Sequence, residues 1–210
     1  MVRRSREEAE ATRKGLLDKA LELFAAEGTE AVTMKRIAAE AGVTHGAMYW
    51  HFRNKKDLLE QLHIRAHWPF ETHYLDQRQA VQQDALEALE NFLRAALADF
   101  SRNTELQCLY RLFHYGRGRS PELAEMAPRL DQELETWRDF IHYFLKQARK
   151  QKQLRKKLDL ELLSDSLLIA IVGAIDLWLT APKRFDLRQQ TDYLLAMQIQ
   201  GLRVLKSSMV

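Results

Sequence analysis

Apolar residues recur at intervals of three and four along most of this 210-residue chain, and no stretch alternates strictly between apolar and polar positions. The first spacing places apolar side chains on one face of an α-helix, whereas strict alternation is typical of a β-strand. Few residues interrupt the helical pattern, since the chain has only 8 Gly and 4 Pro. We therefore predict an all-α fold of about nine helices, over residues 7–27, 33–41, a short segment from 44, 55 to Pro69, 84–101, 105–115, 121–150, 159–180 and 187–205, with Pro69 breaking or kinking the fourth.

Two short helices within residues 33–58 follow each other closely enough to form a helix-turn-helix. Thr33 is a good N-cap for the first, which should end at Gly42 because glycine adopts a left-handed turn at little steric cost. Thr44 caps the second, on which Met48 can fill the space against Ile37 of the first helix. The second helix is therefore the candidate recognition helix.

Packing does not explain the polar and aromatic residues on the remaining faces of this segment. Hydroxyl groups, cationic side chains and a glycine that admits a close backbone approach are what contacts to DNA phosphates require. An ordinary helical hairpin with a solvated basic edge is the alternative, and a frayed terminus is the alternative for the acid-free N-terminal arm. The candidate DNA-binding residues are Arg3, Arg4, Thr33, Lys35, Thr44, His45, Gly46, Tyr49, Trp50, His51 and Lys55.

The segment resembles the TetR family of one-component transcriptional repressors. Residues 33–58 read TMKRIAAEAGVTHGAMYWHFRNKKDL, against the family pattern T-x-x-x-I-A-x-x-A-G-V-[ST]-x-G-x-[LIM]-Y-x-[HY]-F-x-[ND]-K, and residues 1–60 resemble the multidrug-efflux repressors of the AcrR type. The resemblance implies a homodimer that binds a palindromic double-stranded operator and is released by a small-molecule inducer. We expect a DNA-binding domain over residues 1–54 and a ligand-binding and dimerisation domain over residues 55–210.

The last two predicted helices carry more apolar surface than one chain needs. The eighth is apolar on almost every face around Gly173, which indicates a partner. Residues 178–187, WLTAPKRFDL, are similar to the junction of the last two helices in AcrR-like proteins, where these helices form a four-helix dimer interface. The candidate interface residues are Ile171, Ile175, Leu194 and Met197.

Helices four to eight contain an excess of aromatic residues, which favours a site for flat apolar compounds. The candidate ligand-binding residues are His67, Trp68, Phe92, Phe113, His114, Met126, Trp137, Phe140 and Trp178. For any one of them, plain core packing is at least as good an explanation. Related efflux repressors often carry an acidic residue on the fourth helix, and this chain offers His67 in that region.

Composition and charge fit a globular protein with a localised basic surface. The formal charge is only +3 with a pI of about 9.0. This charge is too small for a histone-like protein that neutralises DNA over its whole surface. The single cysteine, Cys108, is expected to be a small buried hydrophobe. The N-terminus lacks an apolar run, and the most apolar stretch, residues 160–181, is interrupted by acidic residues, so we expect a cytoplasmic chain without a membrane span.

Motifs of catalysis are missing from the sequence: there is no nucleotide-binding loop, no H-E-x-x-H and no G-x-S-x-G. His63 and His67 lie four residues apart but have no third ligand at a matching offset, so we expect no metal and no cofactor. The basic run over residues 146–157 is interpreted as the complement of a helix dipole rather than a second nucleic-acid surface. We therefore predict a ligand-responsive repressor of an efflux-pump or related operon, with a ligand-independent architectural or activator protein as the alternative.

Overall fold

The computed structural model describes the backbone of residues 2–205 and the side chains of residues 6–65 and 71–204. Nine α-helices account for most of this range, so the predicted all-α class is confirmed. They are α1 Val2–Glu27, α2 Met34–Glu40, α3 His45–His51, α4 Lys55–Ala80, α5 Ala85–Arg102, α6 Thr104–His114, α7 Pro121–Lys150, α8 Leu160–Thr180 and α9 Leu187–Leu205. Because α1 already begins at Val2, residues 3 and 4 are helical, and the prediction of an arm ahead of the first helix is wrong.

The predicted helix caps are present at both short helices. Thr33 Oγ1 accepts a hydrogen bond from the Arg36 amide at 3.2 Å, and Thr44 Oγ1 accepts one from the Ala47 amide at 3.1 Å. Each cap satisfies an amide that has no carbonyl partner within the helix. Gly42 has φ +68°, so the turn after α2 uses the left-handed conformation that glycine permits.

Pro69 does not end the fourth helix, because α4 continues through this position to Ala80. A proline inside a helix removes one hydrogen bond and costs about 3 kcal/mol. Contacts beyond the proline offset this cost: the Tyr74 ring stacks on Phe140 with centroids 4.0 Å apart, and His73 Nε2 lies 2.6 Å from Asp99 Oδ2. Tertiary packing therefore overrides the local signal of the proline.

The chain divides into two compact units, and α4 and α7 each contribute to both. The first unit consists of Met1–His67 and Glu105–Asp131, the second of Trp68–Thr104 and Gln132–Val210. In the first, α1 packs against α2 and α2 against α3; in the second, α5 packs against α8 and α9, and α8 against α9. The functional boundary between residues 54 and 55 stays a prediction.

Helix α8 is long and apolar enough to cross a membrane, by length and composition only, with a mean hydropathy of 1.9 over its most apolar 18 residues. The prediction that acidic residues keep every segment from meeting this test is therefore wrong, because only two of them, Asp165 and Asp176, fall within residues 162–179. The helix nevertheless has a face inside the second unit, since Leu167, Ile171 and Ile175 are buried. A core helix of a globular protein passes the same test.

Candidate nucleic-acid interface

Helices α2 and α3 pack through a small set of apolar side chains. Ile37 and Ala38 of α2 and Met48 of α3 are all buried. The short Ala38 side chain allows the two helices to approach closely, and Met48 fills the remaining space. This packing fixes α3 by one side only, so its other residues are free to face solvent.

The solvent-facing side of α3 carries two large aromatic residues. Tyr49 is 46% exposed and Trp50 is 71% exposed, whereas the core normally takes up side chains of this size. Their immediate neighbours His45 and Gly46 are exposed as well, and the His45 and Tyr49 rings meet edge to face at 4.7 Å. Such a surface presents aromatic, imidazole and hydroxyl groups together, which suits contact with a polyanion.

The glycine at position 46 has no packing role. A β carbon placed there would meet only Thr44 Oγ1, at 3.9 Å, within the residues that the structure describes. Thr33, Lys35 and Thr44 are also exposed, on the same helix-turn-helix. The open space around Gly46 therefore leaves room for an external backbone to approach.

His51 is half-buried at the end of α3 and differs in character from its exposed neighbours. Burial, together with the nearby positive charge of Arg13, lowers the pKa of His51 below its ordinary value and so disfavours the charged imidazolium. Arg13 also donates to the His51 carbonyl at 3.3 Å, and its guanidinium lies 4.8 Å from the centre of the Phe52 ring. No motif or spacing in the sequence indicates this role for Arg13.

Lys55 does not face outward, contrary to its assignment as a DNA-binding residue. Its Nζ donates to the Thr29 carbonyl at 2.9 Å and lies 3.1 Å from Glu122 Oε1, and its side chain is only 17% exposed. Burial alone would raise the pKa of Glu122, but hydrogen bonding to backbone and to Lys55 outweighs it, and the pKa is lowered. Lys55 therefore ties the first turn of α4 to the segment after α1 and to α7.

We expect Lys55→Ala to destabilise the protein by about 1–3 kcal/mol, because Glu122 and the Thr29 carbonyl lose a charged donor in a half-buried place. The neighbouring Lys56 pairs with Glu125 at the surface, where both side chains are more exposed, 40% and 59%. Lys56→Ala is the matched control and should change stability by less than about 0.5 kcal/mol. Urea denaturation of both variants measures the difference; equal effects would contradict the structural role of Lys55.

The candidate ligand-binding residues are distributed over both units. In the first unit, Phe113 is buried against His63 with ring centroids 5.1 Å apart, and His114 stacks on Tyr110 at 3.9 Å. Met126 is buried as well. The side chains of His67 and Trp68 lie outside the described residues.

In the second unit, Phe92 and Phe140 are brought together, whereas Trp178 lies elsewhere. Phe92 and Phe140 meet at 6.1 Å within an aromatic cluster that includes Tyr74, and Trp137 is buried. Trp178 lines an open cleft with the loop between α8 and α9. The structure therefore does not gather the second-unit candidates around a single space.

For two of the four candidate dimer residues, the prediction of an exposed interface position is wrong. Ile171 and Ile175 are buried inside the second unit, where α8 packs against α5 and α9. The exposed large apolar residues of α8 are Leu162, Ile169 and Leu177 instead, and on α9 they are Tyr193, Met197 and Val204. Met197 is thus exposed as predicted, and Leu194 is half-buried.

Metal ligation receives no support from the described side chains, among which no group of three His, Cys, Asp or Glu residues could hold an ion. The polar residues of α2 and α3 are instead arranged for surface contact. An all-α chain that displays a capped helix-turn-helix with an exposed second helix belongs to the class of DNA-binding regulators.

Comparison with known proteins defines the class further. The model of the bacterial regulatory proteins of the tetR family matches residues 16–62, and a repressor from Brucella suis, "HTH-type transcriptional repressor BepR", is 31% identical over 205 residues, 96% of this chain and 97% of its own length. The chain therefore belongs to the tetR family of bacterial regulatory proteins. It is a DNA-binding transcriptional regulator and not an enzyme.

Two solved structures resemble the whole chain. NalD, described as the secondary repressor of the MexAB-OprM multidrug efflux pump in Pseudomonas aeruginosa, has a TM-score of 0.78 at 25% identity, covering 93% of this chain and 98% of NalD. SmeT in complex with triclosan has a TM-score of 0.75 at 26% identity, covering 91% of each chain. SmeT is described as the repressor of the Stenotrophomonas maltophilia multidrug efflux pump SmeDEF.

Proposed function

We propose that this chain is a homodimeric cytoplasmic repressor that binds a palindromic operator and leaves it when a small apolar or aromatic molecule binds. The observation that carries the proposal is the exposed side of α3, where Tyr49 and Trp50 face solvent while Met48 anchors the helix. A transcriptional repressor of this size, BepR, aligns over almost the full chain. The regulated genes are those of a multidrug efflux pump or a related operon, as the functions of the related repressors NalD and SmeT suggest.

The proposed dimer forms through the exposed apolar residues of α8 and α9, here called the α8/α9 stripe: Leu162, Ile169, Leu177, Tyr193, Met197 and Val204. Ile169 is 71% exposed and Met197 is 73% exposed, and both lie on helices otherwise held in the second unit. Large apolar side chains exposed on two helices that pack together are unfavourable in water and mark an interface. Two copies that bury it against each other form an isologous interface, since the same patch is used twice.

A dimer is required for specific operator binding. Two recognition helices must enter successive major grooves, whose centres lie about 34–36 Å apart on one side of the duplex. One α3 offers only a few side chains, so a monomer would hold a half-site weakly. A ligand that binds better to protomers with a different spacing would shift the population away from DNA.

The inducer is a small apolar or aromatic molecule, as the triclosan complex of SmeT suggests for a related fold. A ligand-independent architectural or activator protein remains the competing function, because it would use the same helix-turn-helix. Titration of apolar drug-like compounds during an operator-binding assay separates the two. Release of DNA at saturating compound supports the repressor; affinity that no compound changes supports the architectural protein.

Operator binding should depend on the exposed residues of the helix-turn-helix. We expect Tyr49→Ala to weaken binding about tenfold or more, since removing a hydrogen bond to a charged phosphate costs about 1.5–3 kcal/mol. Lys35→Ala should weaken binding and also lower the salt slope by about 1 for each phosphate that the lysine neutralises in the wild type. A lower slope separates the removal of a DNA-bound cation from unfolding.

Lys157→Ala, a change at an exposed lysine in the second unit, is the control and should leave the affinity and the salt slope unchanged. Fluorescence anisotropy on a labelled operator at several salt concentrations gives both quantities. Wild-type affinity for Tyr49→Ala and Lys35→Ala would remove α2 and α3 from the interface.

A further inference from the structure

A cavity of about 270 Å³ lies inside the first unit, between the end of α1, helix α6 and the start of α7. Phe24, Leu112 and Leu123 give it an apolar wall, and all three are buried. This volume approaches the lower end of the range for small-molecule sites, about 300–1,000 Å³. None of the candidate ligand-binding residues predicted from the sequence lines it.

The charged residues around this cavity are both arginines. Arg111 and Arg119 line it, and both residues are exposed. No carboxylate is among the lining residues of this described part of the chain. The C-termini of α1 and α6 approach the cavity, and the helix dipole places about half a negative charge at each of them. The two arginines carry one full positive charge each, so positive charge predominates.

The floor of the cavity is fixed by a close backbone approach. Gly116 lines it, and a β carbon at this position would lie 2.1 Å from the Leu112 carbonyl oxygen and 2.8 Å from Leu123 Cδ1. Any larger residue would displace the end of α6. Thr29 also lines the cavity and is buried, and its carbonyl accepts a hydrogen bond from Lys55 Nζ at 2.9 Å. The cavity is therefore bounded by anchored segments.

We propose that this cavity binds a small aromatic carboxylate. The ring is buried against Phe24, Leu112 and Leu123, and the carboxylate reaches Arg111 and Arg119 at the opening. Guanidinium groups match carboxylates well because their parallel N–H groups can donate to both oxygens. The site shares no residue with the candidate ligand-binding residues predicted from the sequence, and its existence does not depend on operator binding.

Cys108 provides a direct reporter of this site. It lines the cavity, is half-exposed rather than buried as the sequence suggested, and is the only cysteine of the chain. Alkylation by N-ethylmaleimide, followed by mass spectrometry, therefore measures the reactivity of this one thiol. Cinnamate is the probe and its neutral amide, cinnamamide, is the matched control. We expect cinnamate to slow alkylation saturably, and cinnamamide to have at least about tenfold weaker effect, since it lacks the charge-assisted contact.

Three variants complete the experiment. Arg119→Gln and Arg111→Gln should each weaken protection by cinnamate, whereas Arg102→Gln, at an exposed position in the second unit, should not. Ala25→Trp introduces a large side chain at an exposed lining position and should slow alkylation without any probe. Circular dichroism melting confirms that each variant is folded.

Protection that does not saturate, that cinnamamide matches, or that both arginine variants retain would overturn the proposal. Saturable protection that either arginine variant weakens supports it. Because the readout is alkylation in the absence of DNA, a failure here leaves the repressor function untouched, and a failure of operator binding leaves this site untouched.

Discussion

Replacing Ile175 by glutamate is expected to prevent folding, whereas replacing Ile169 by glutamate is expected to leave a folded monomer. Both residues lie on α8, but Ile175 is fully buried and Ile169 is 71% exposed. A carboxylate at position 175 would have to be buried without a partner, which costs several kcal/mol on top of the forfeited apolar packing. That sum is comparable with the entire stability of a typical domain, about 5–15 kcal/mol.

At position 169 the same charge meets water in the isolated protomer and costs little. The charge becomes unfavourable only when a second copy covers the α8/α9 stripe, because each carboxylate would then be buried against apolar side chains of the other copy. Ile169→Gln, which adds polarity without charge, is the matched control and should weaken the dimer less. Circular dichroism reports folding, and sedimentation velocity reports the oligomeric state.

The three outcomes are distinct. A folded dimer of Ile169→Glu would show that α8 contributes nothing to association and would remove the proposed interface. A folded, soluble Ile175→Glu protein would contradict the burial of this position. A folded monomer of Ile169→Glu that also binds the operator with wild-type affinity would separate dimerisation from specific binding.

The fold is predictable where local signals are strong. Thr33 and Thr44 cap α2 and α3 because a side-chain oxygen can reach an amide two or three residues onward, which depends on sequence alone. Pro69 misleads for the converse reason: its local cost is real, but contacts of Tyr74 and His73, distant in sequence from their partners, hold the helix together. Contacts between residues that are distant in sequence cannot be predicted from any one short segment.

The sequence shows which residue types the candidate sites contain, but it shows less well which of these side chains face solvent. On α8, where almost every residue is apolar, periodicity cannot show which face is buried, so the prediction places Ile171 and Ile175 on the wrong side. The prediction for Lys55 is wrong because a lysine beside a basic segment looks like a phosphate ligand, whereas its partner Glu122 is distant in the sequence. The exposed aromatic residues of α3 are identifiable because Met48 alone accounts for its buried side.

Trp137→Ala is expected to lower stability by about 3–5 kcal/mol, because the indole is 4% exposed and its removal leaves a large cavity in the second unit. Trp50 is the matched control: it is the same residue type at 71% exposure, and Trp50→Ala should alter stability by less than about 0.5 kcal/mol. The two variants should also differ in function, since Trp50 lies on the exposed side of α3 and Trp137 lies on α7.

We therefore expect the two effects to separate completely. Trp137→Ala should bind the operator normally per folded molecule at low temperature, whereas Trp50→Ala should be stable and bind poorly. Melting temperature, operator affinity and inducer-driven release are measured on the same preparations. If Trp137→Ala instead keeps its wild-type melting temperature and needs far more inducer for release, the side chain contributes to the ligand site rather than to the core. Truncating a residue that lines a ligand site removes contacts with the ligand, and these contacts do not stabilise the ligand-free protein.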